Sequence, residues 1–116
     1  MSRQDEARLG DIVDALEAIR DHLTRGDLRD GLVYDAVRVR LIEIGEAVKG
    51  IDPDILDGAP GVPWKEIARM RDHLAHRYFD TAHSIVQATV EHDLPPLLDA
   101  ARRLLDRMEP RRDPDT

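Results

Sequence analysis

The chain has 116 residues, 17 lysines and arginines against 24 aspartates and glutamates, and a formal net charge of -7. That length suits one domain with a modest core. The acidic balance excludes a global attraction to nucleic acid or anionic membrane, although a local basic patch can still bind phosphate. With no cysteine, disulfides and thiolate metal sites are excluded, and a reducing cytoplasm is the expected compartment. The opening MSRQDEARLGD lacks the apolar core of a signal peptide. No apolar run approaches the length of a membrane span.

The first segment, Arg3 to Arg25, places Leu9, Ile12, Val13, Leu16, Ile19 and Leu23 on one helical stripe, and Gly26 offers a stop. The second, Leu28 to Lys49, carries Val33, Val37, Leu41, Ile44 and Val48 on one stripe and Leu32, Ala36, Val39 and Ile42 on a neighbouring one. So wide an apolar arc belongs to a helix central in a bundle, or to one that also meets another subunit. Gly45 inside this helix costs about 1 kcal/mol relative to alanine, and close helix packing would explain it.

GIDPDILDGAPGVP reads as a loop with one short turn around Asp54 to Leu56. Pro63 suits the first turn of a third helix. Trp64, Ile67, Ala68, Leu74, Ala75 and Tyr78 follow its apolar spacing, and Arg71 completes the series. Asp80 and Thr81 are N-cap candidates for the next helix, so the third should end near His76 to Phe79. The fourth begins near Ala82 with Ile85, Val86, Thr89 and Val90. Pro95 and Pro96 interrupt it, and Leu97, Leu98, Ala101, Leu104, Leu105 and Met108 continue inward-facing. There is no strand candidate and no internal repeat. The expected fold is an all-α up-and-down four-helix bundle, its last helix kinked or broken at Pro95-Pro96. It forms a single domain over residues 1–110, followed by a polar tail over 111–116.

Arg71 in an apolar stripe needs a partner, because an arginine does not neutralise itself on burial. A salt bridge to Glu43 or Glu46, snorkelling to solvent, a phosphate-binding groove or a subunit interface would each supply one. His73 and His76 lie three residues apart on the polar side, near Arg69. An HxxH pair can bind metal, but no third ligand stands at a recognisable spacing and Glu-x-x-His pairs are absent. No metal or other cofactor is expected.

RDHLAHRY, within WKEIARMRDHLAHRYFD and followed by HDLPPL, resembles the signature of the HepT-like toxins in the HEPN superfamily of helical ribonucleases. Its core is Arg71, four residues, His76, one residue, Tyr78. RLIEIGEAVK, Arg40 to Lys49, resembles the family's second-helix segment with its Ile-Gly-Glu core, and Trp64 and Asp93-Leu94-Pro95 also fit. The resemblance covers about Leu9 to Leu105. The family often carries a tryptophan in the helix after the motif, where this chain has Gln87, a departure that touches packing more than chemistry.

The resemblance implies an endoribonuclease that cuts RNA without a metal, with Arg71 and His76 catalytic. It also implies a partner, a minimal nucleotidyltransferase antitoxin of MntA type, that transfers AMP to Tyr78. Histidine suits acid and base work near neutral pH, and an arginine fork suits a phosphorane. Positions 71 and 76 stand about 140° apart on a straight helix, so a homodimer with two motif copies beside its two-fold axis would complete the site. Lys65, Arg69 and Arg77 are candidate phosphate contacts, and His73 a possible auxiliary. Two other classes fit the residues: a non-catalytic helical subunit of a nucleotidyltransferase complex, and a purely structural dimer in which Arg71 merely pairs with Glu43 or Glu46.

Overall fold

The computed structural model describes residues 3–76 and 79–108, and for residues 76 and 79–81 the backbone alone. Six helices follow in order: α1 (Arg3–Leu23), α2 (Gly31–Gly50), α3 (Pro53–Leu56), α4 (Trp64–His76), α5 (Phe79–His92) and α6 (Leu94–Met108). There is no strand among the described residues, and the all-α expectation holds. No helix among them is long and apolar enough to cross a membrane.

Helix α1 buries Leu9, Ile12, Leu16 and Ile19, the expected stripe. It packs on α2 and α6, and α4 packs on the other side of α2. Helix α2 starts at Gly31, three residues later than the periodicity suggests. The Asp30 side chain sets this start by accepting the backbone N–H groups of Leu32 and Val33. Arg8 near the start of α1 donates to the Gly50 carbonyl at the end of α2, at 2.7 Å, so the two helices run antiparallel. Beside it, the buried Asp5 carboxylate accepts the Asp52 N–H at 3.1 Å and anchors the loop that follows.

The expected short turn is α3, with Asp52 capping it and Pro53 in its first turn. The Trp64 indole donates to the Ala59 carbonyl at 3.0 Å and ties the loop to the start of α4. Helix α5 begins at Phe79, earlier than the cap candidates Asp80 and Thr81 imply; their side chains lie outside the described residues. It is held to α2 by Tyr34 stacked on His83, ring centroids 4.9 Å apart.

The break in the last helix falls at Asp93, just before the two prolines. Leu94, Pro95 and Pro96 form the first turn of α6, where backbone N–H groups have no helical acceptor and a missing donor costs nothing. The expected four-helix bundle therefore has its fourth member divided into α5 and α6. The proposed tail, 111–116, lies outside the described residues.

Val37, Leu41 and Ile44 of α2, Leu74 of α4, Val86 of α5 and Leu97 of α6 meet the α1 stripe in one core. On α4 the buried stripe is Trp64, Ile67, Met70 and Leu74. Met70 takes the inward place, Arg71 stands half-buried at the stripe's edge, and Ala75 is exposed. The second stripe of α2 is partly uncovered in the protomer: Leu32 is 83% exposed and Val39 49%, while Ala36 and Ile42 are half-buried and Ile42 packs against the core.

Helices α2 and α4 approach closely at Gly45. A Cβ built there would stand 2.5 Å from the Arg71 Cβ and 3.1 Å from the Ile67 carbonyl oxygen. Helix propensity alone favours Gly45→Ala by about 1 kcal/mol. The clash with another helix's Cβ and backbone should reverse that sign, at a cost of about 1–3 kcal/mol. Urea unfolding of Gly45→Ala should show a net loss of stability; a net gain would mean the two helices part freely.

Candidate functional site

Because Gly45 has no side chain, the stem of Arg71 lies against α2. The arginine side chain is 32% exposed, and its guanidinium ends between two carboxylates. Nε stands 2.9 Å from Glu46 Oε2, and Nη1 stands 3.1 Å from Asp72 Oδ1. The buried Nε–H is not aligned with the Glu46 oxygen, so that contact is an ion pair rather than a formed hydrogen bond. Lys49 Nζ reaches the same Asp72 oxygen at 3.2 Å. Of the partners expected for Arg71, the structure selects Glu46. Glu43 pairs instead with Arg40 at 3.0 Å.

This cluster borders a shallow groove of about 1010 Å³ along α1 and α2. Four basic residues line it, Arg8, Arg40, Lys49 and Arg71, and so do four acidic ones, Asp11, Asp14, Glu43 and Glu46. Each of the basic residues already has a carboxylate or carbonyl partner. Arg71 nevertheless retains capacity: among the described residues, Nη2 donates no hydrogen bond.

The other motif residues spread around α4. His76 closes the helix, about 140° from Arg71 by helical register; its side chain, and Arg77 and Tyr78 entirely, lie outside the described residues. Arg69 and His73 line a separate cavity between α4 and α5. Lys65 lines a third hollow beside the loop that carries α3. One protomer thus does not gather the candidate residues at a single point. Among the described residues, no three acidic or histidine side chains converge where they could hold a metal ion.

Three contacts at this site were not foreseen. Lys49 and Asp72 brace Arg71, and Arg38 of α2, half-buried, donates to the Leu74 carbonyl near the end of α4. These charges lie on helix surfaces, where sequence periodicity carries no signal of a partner dozens of residues away.

A family model described as ribonuclease HepT-like matches residues 10–104. The chain belongs to the HepT-like ribonuclease family. It is 37% identical over 101 residues to a Thermococcus cleftensis protein named "Probable ribonuclease HepT", covering 84% of this chain and 92% of that one. A Methanocaldococcus jannaschii protein named as an RNase is 32% identical over 111 residues, covering 92% of this chain and 96% of that one. Another, from Caldanaerobacter subterraneus and also named as an RNase, is 40% identical over 70 residues, 60% of this chain and 62% of that one. No solved structure matches the chain. The matched span agrees with the Leu9 to Leu105 resemblance, and the family's description agrees with the enzyme class that the motif implies.

The Asp72 carboxyl is held below the usual carboxylate range, first by the hydrogen bond from Lys49 and then by that from Arg71. A carboxylate lowered in the folded state stabilises the fold above its unfolded value and loses that contribution as pH falls through the folded one. Asp72→Asn should therefore be less stable than the parent at pH 7, and the difference should vanish well below pH 3.8, the ordinary value. Urea melts at both pH values measure it; a gap unchanged in acid would show that Asp72 acts by shape rather than charge.

Proposed function

We propose that this chain is a metal-independent endoribonuclease, active as a homodimer, and the toxin of a toxin–antitoxin pair. The observation that carries the reading is Arg71, a partly exposed side chain fixed at the α2–α4 seam whose Nη2 donates no hydrogen bond among the described residues, in a member of a ribonuclease family. A fork oriented before RNA arrives costs no reorganisation during reaction, which is where preorganised charge is most effective.

In the proposed reaction the RNA 2'-oxygen attacks the adjacent phosphorus, the phosphorus–O5' bond breaks, and a 2',3'-cyclic phosphate and a 5'-hydroxyl result. His76 of one protomer takes the 2' proton, and the second copy of His76 protonates the leaving oxygen. Arg71 binds the equatorial oxygens of the phosphorane. Lys65, Arg69 and Arg77 hold flanking phosphates, with His73 as an auxiliary. The angle between positions 71 and 76 supports the dimer, as does the uncovered row of Leu32 and Val39 on α2. Arg38 of that helix bonds the last turns of α4, so the row runs along the element that holds the motif's end.

For Tyr78, AMP transfer by a partner nucleotidyltransferase would set a bulky anion two turns from Arg71 and repel the RNA phosphate. The chain would act in the cytoplasm, where both RNA and partner are found.

Arg71→Ala and His76→Ala should each lower RNA cleavage by at least about 100-fold while sedimenting as the same micromolar dimer as the parent, and chelator should change nothing. Cleavage that persists in His76→Ala, or stops with chelator, rejects this mechanism. Nucleotide transfer to a third molecule with no RNA cut would replace it with the binding-subunit reading.

Tyr78→Phe loses only a hydroxyl. Co-expressed with the nucleotidyltransferase, the parent should gain AMP mass and fall silent, while the variant should stay unmodified and active. Intact mass spectrometry of the co-purified complex decides this; an inactive complex without added mass would mean that the partner occludes the cleft.

A further inference from the structure

The face of α4 turned toward α5 is built unlike the Arg71 face. Between the two helices lies a cavity of about 460 Å³, within the range of sites that take small ligands. Its inner lining is apolar: Ile67 and Met70 are buried and Ile85 half-buried. Its outer lining is charged or polar, with Glu66 and Arg69 exposed and His73 and Asp93 half-buried. The Thr89 hydroxyl is occupied, donating to the Ile85 carbonyl at 2.8 Å.

None of the four outer side chains, Glu66, Arg69, His73 and Asp93, makes a hydrogen bond or ion pair with another described residue. Two carboxylates and two basic groups share one hollow without neutralising one another. In the Arg71 groove, by contrast, every basic side chain has a partner. Open acceptors and donors around an apolar floor complement a flat ligand that has apolar faces and carries donors on one edge and acceptors on another. A nucleobase has that form, and an unpaired RNA base is read through its edges.

Among the bases, guanine matches both sets. Its N1–H and 2-amino group donate side by side to one carboxylate, and its O6 or N7 accepts from the ring N–H of His73, which leaves Arg69 to the flanking phosphate. Uracil has no amino group, and cytosine and adenine each offer one amino group without an adjacent ring N–H. No aromatic platform is required, because the Met70 thioether and the isoleucines supply a polarizable apolar floor.

The cavity also has the right address. Arg69, His73 and His76 follow one another at spacings of four and three residues along α4, one face of the helix by register. His76 lies about 4.5 Å beyond His73 along the axis. We propose that the α4–α5 cavity is a guanine-selective subsite that holds an unpaired guanine beside the scissile phosphate. This rests on the ribonuclease reading, but the cavity's ligand preference can be measured without catalysis.

The experiment uses the full chain with a pool of single-stranded RNAs randomised around one cleavable position, and sequences the products. The parent should favour sites flanked on one side by guanine by about tenfold, and the double variant Glu66→Gln, Asp93→Asn should lose that ratio. No preference in the parent, a preference for another base, or a preference kept in the variant overturns the proposal. If no RNA is cut at all, the ribonuclease reading fails and the second measurement decides the subsite. Guanosine monophosphate should then saturably shift the methyl resonances of Ile67, Met70 and Ile85, about tenfold more tightly than uridine monophosphate, and the double variant should abolish the difference. Equal or absent shifts overturn it.

Discussion

The constraint on which the site depends is the absence of a side chain at Gly45. Any Cβ there would intrude on the Cβ of Arg71 at 2.5 Å, so α2 and α4 could not lie this close with a larger residue at that position. Ile44 and Leu41 on one helix, and Ile67 and Leu74 on the other, are buried where the two faces meet. Gly45 is unfavourable for the isolated helix by about 1 kcal/mol. Burying even one such aliphatic side chain contributes about 1.5–3 kcal/mol, so the close packing wins. The adjacent Glu46 then arrives beside Arg71 by connectivity alone: the residue that lets the helices approach fixes where the next carboxylate stands.

The same approach explains why an arginine is tolerated at the edge of an apolar stripe. Its aliphatic stem fills the space that Gly45 leaves, while its head remains partly in water between Glu46 and Asp72. A fully buried guanidinium with a single partner would face a desolvation cost that pairing barely repays. A half-exposed one with two carboxylates avoids most of that cost and keeps donors available. The geometry is compatible with a structural ion pair and with the phosphate fork proposed above.

Much of this was legible in the sequence, for reasons that can be named. Helices α1 and α2 announce themselves through the spacing of Leu9 to Ile19 and Val33 to Val48, since each buries one regular stripe. The exposure of Leu32 and Val39 on α2 is visible as an arc too wide for one protomer's core. Pro95 and Pro96 signalled the break in the last helix, which falls two residues earlier, at Asp93, because proline is accommodated in a helix's first turn. The apolar spacing puts Arg71 in the inward place that Met70 occupies; neighbouring positions differ by about 100°, and only the neighbouring helix decides which of two adjacent residues faces it. The Lys49–Asp72 and Arg38–Leu74 contacts join residues 23 and 36 positions apart, and no periodicity encodes such pairs.

The distribution of charge around α4 carries the argument for two protomers one step further. The Arg71 groove balances four basic residues against four acidic ones, so it has little long-range pull on a polyanion. The basic side chains of α4 that stand without hydrogen-bond or ion-pair partners among the described residues, Lys65, Arg69 and His73, line other surfaces. A single RNA strand crossing one protomer would meet either the fork or the uncommitted basic groups, but not both on one path. In the proposed homodimer, a two-fold axis beside the end of α4 would remove that conflict by setting the fork of one copy opposite the Arg69–His73 surface of the other. RNA held in that seam would touch an oriented guanidinium and open basic groups at once, although neither face of one protomer offers both.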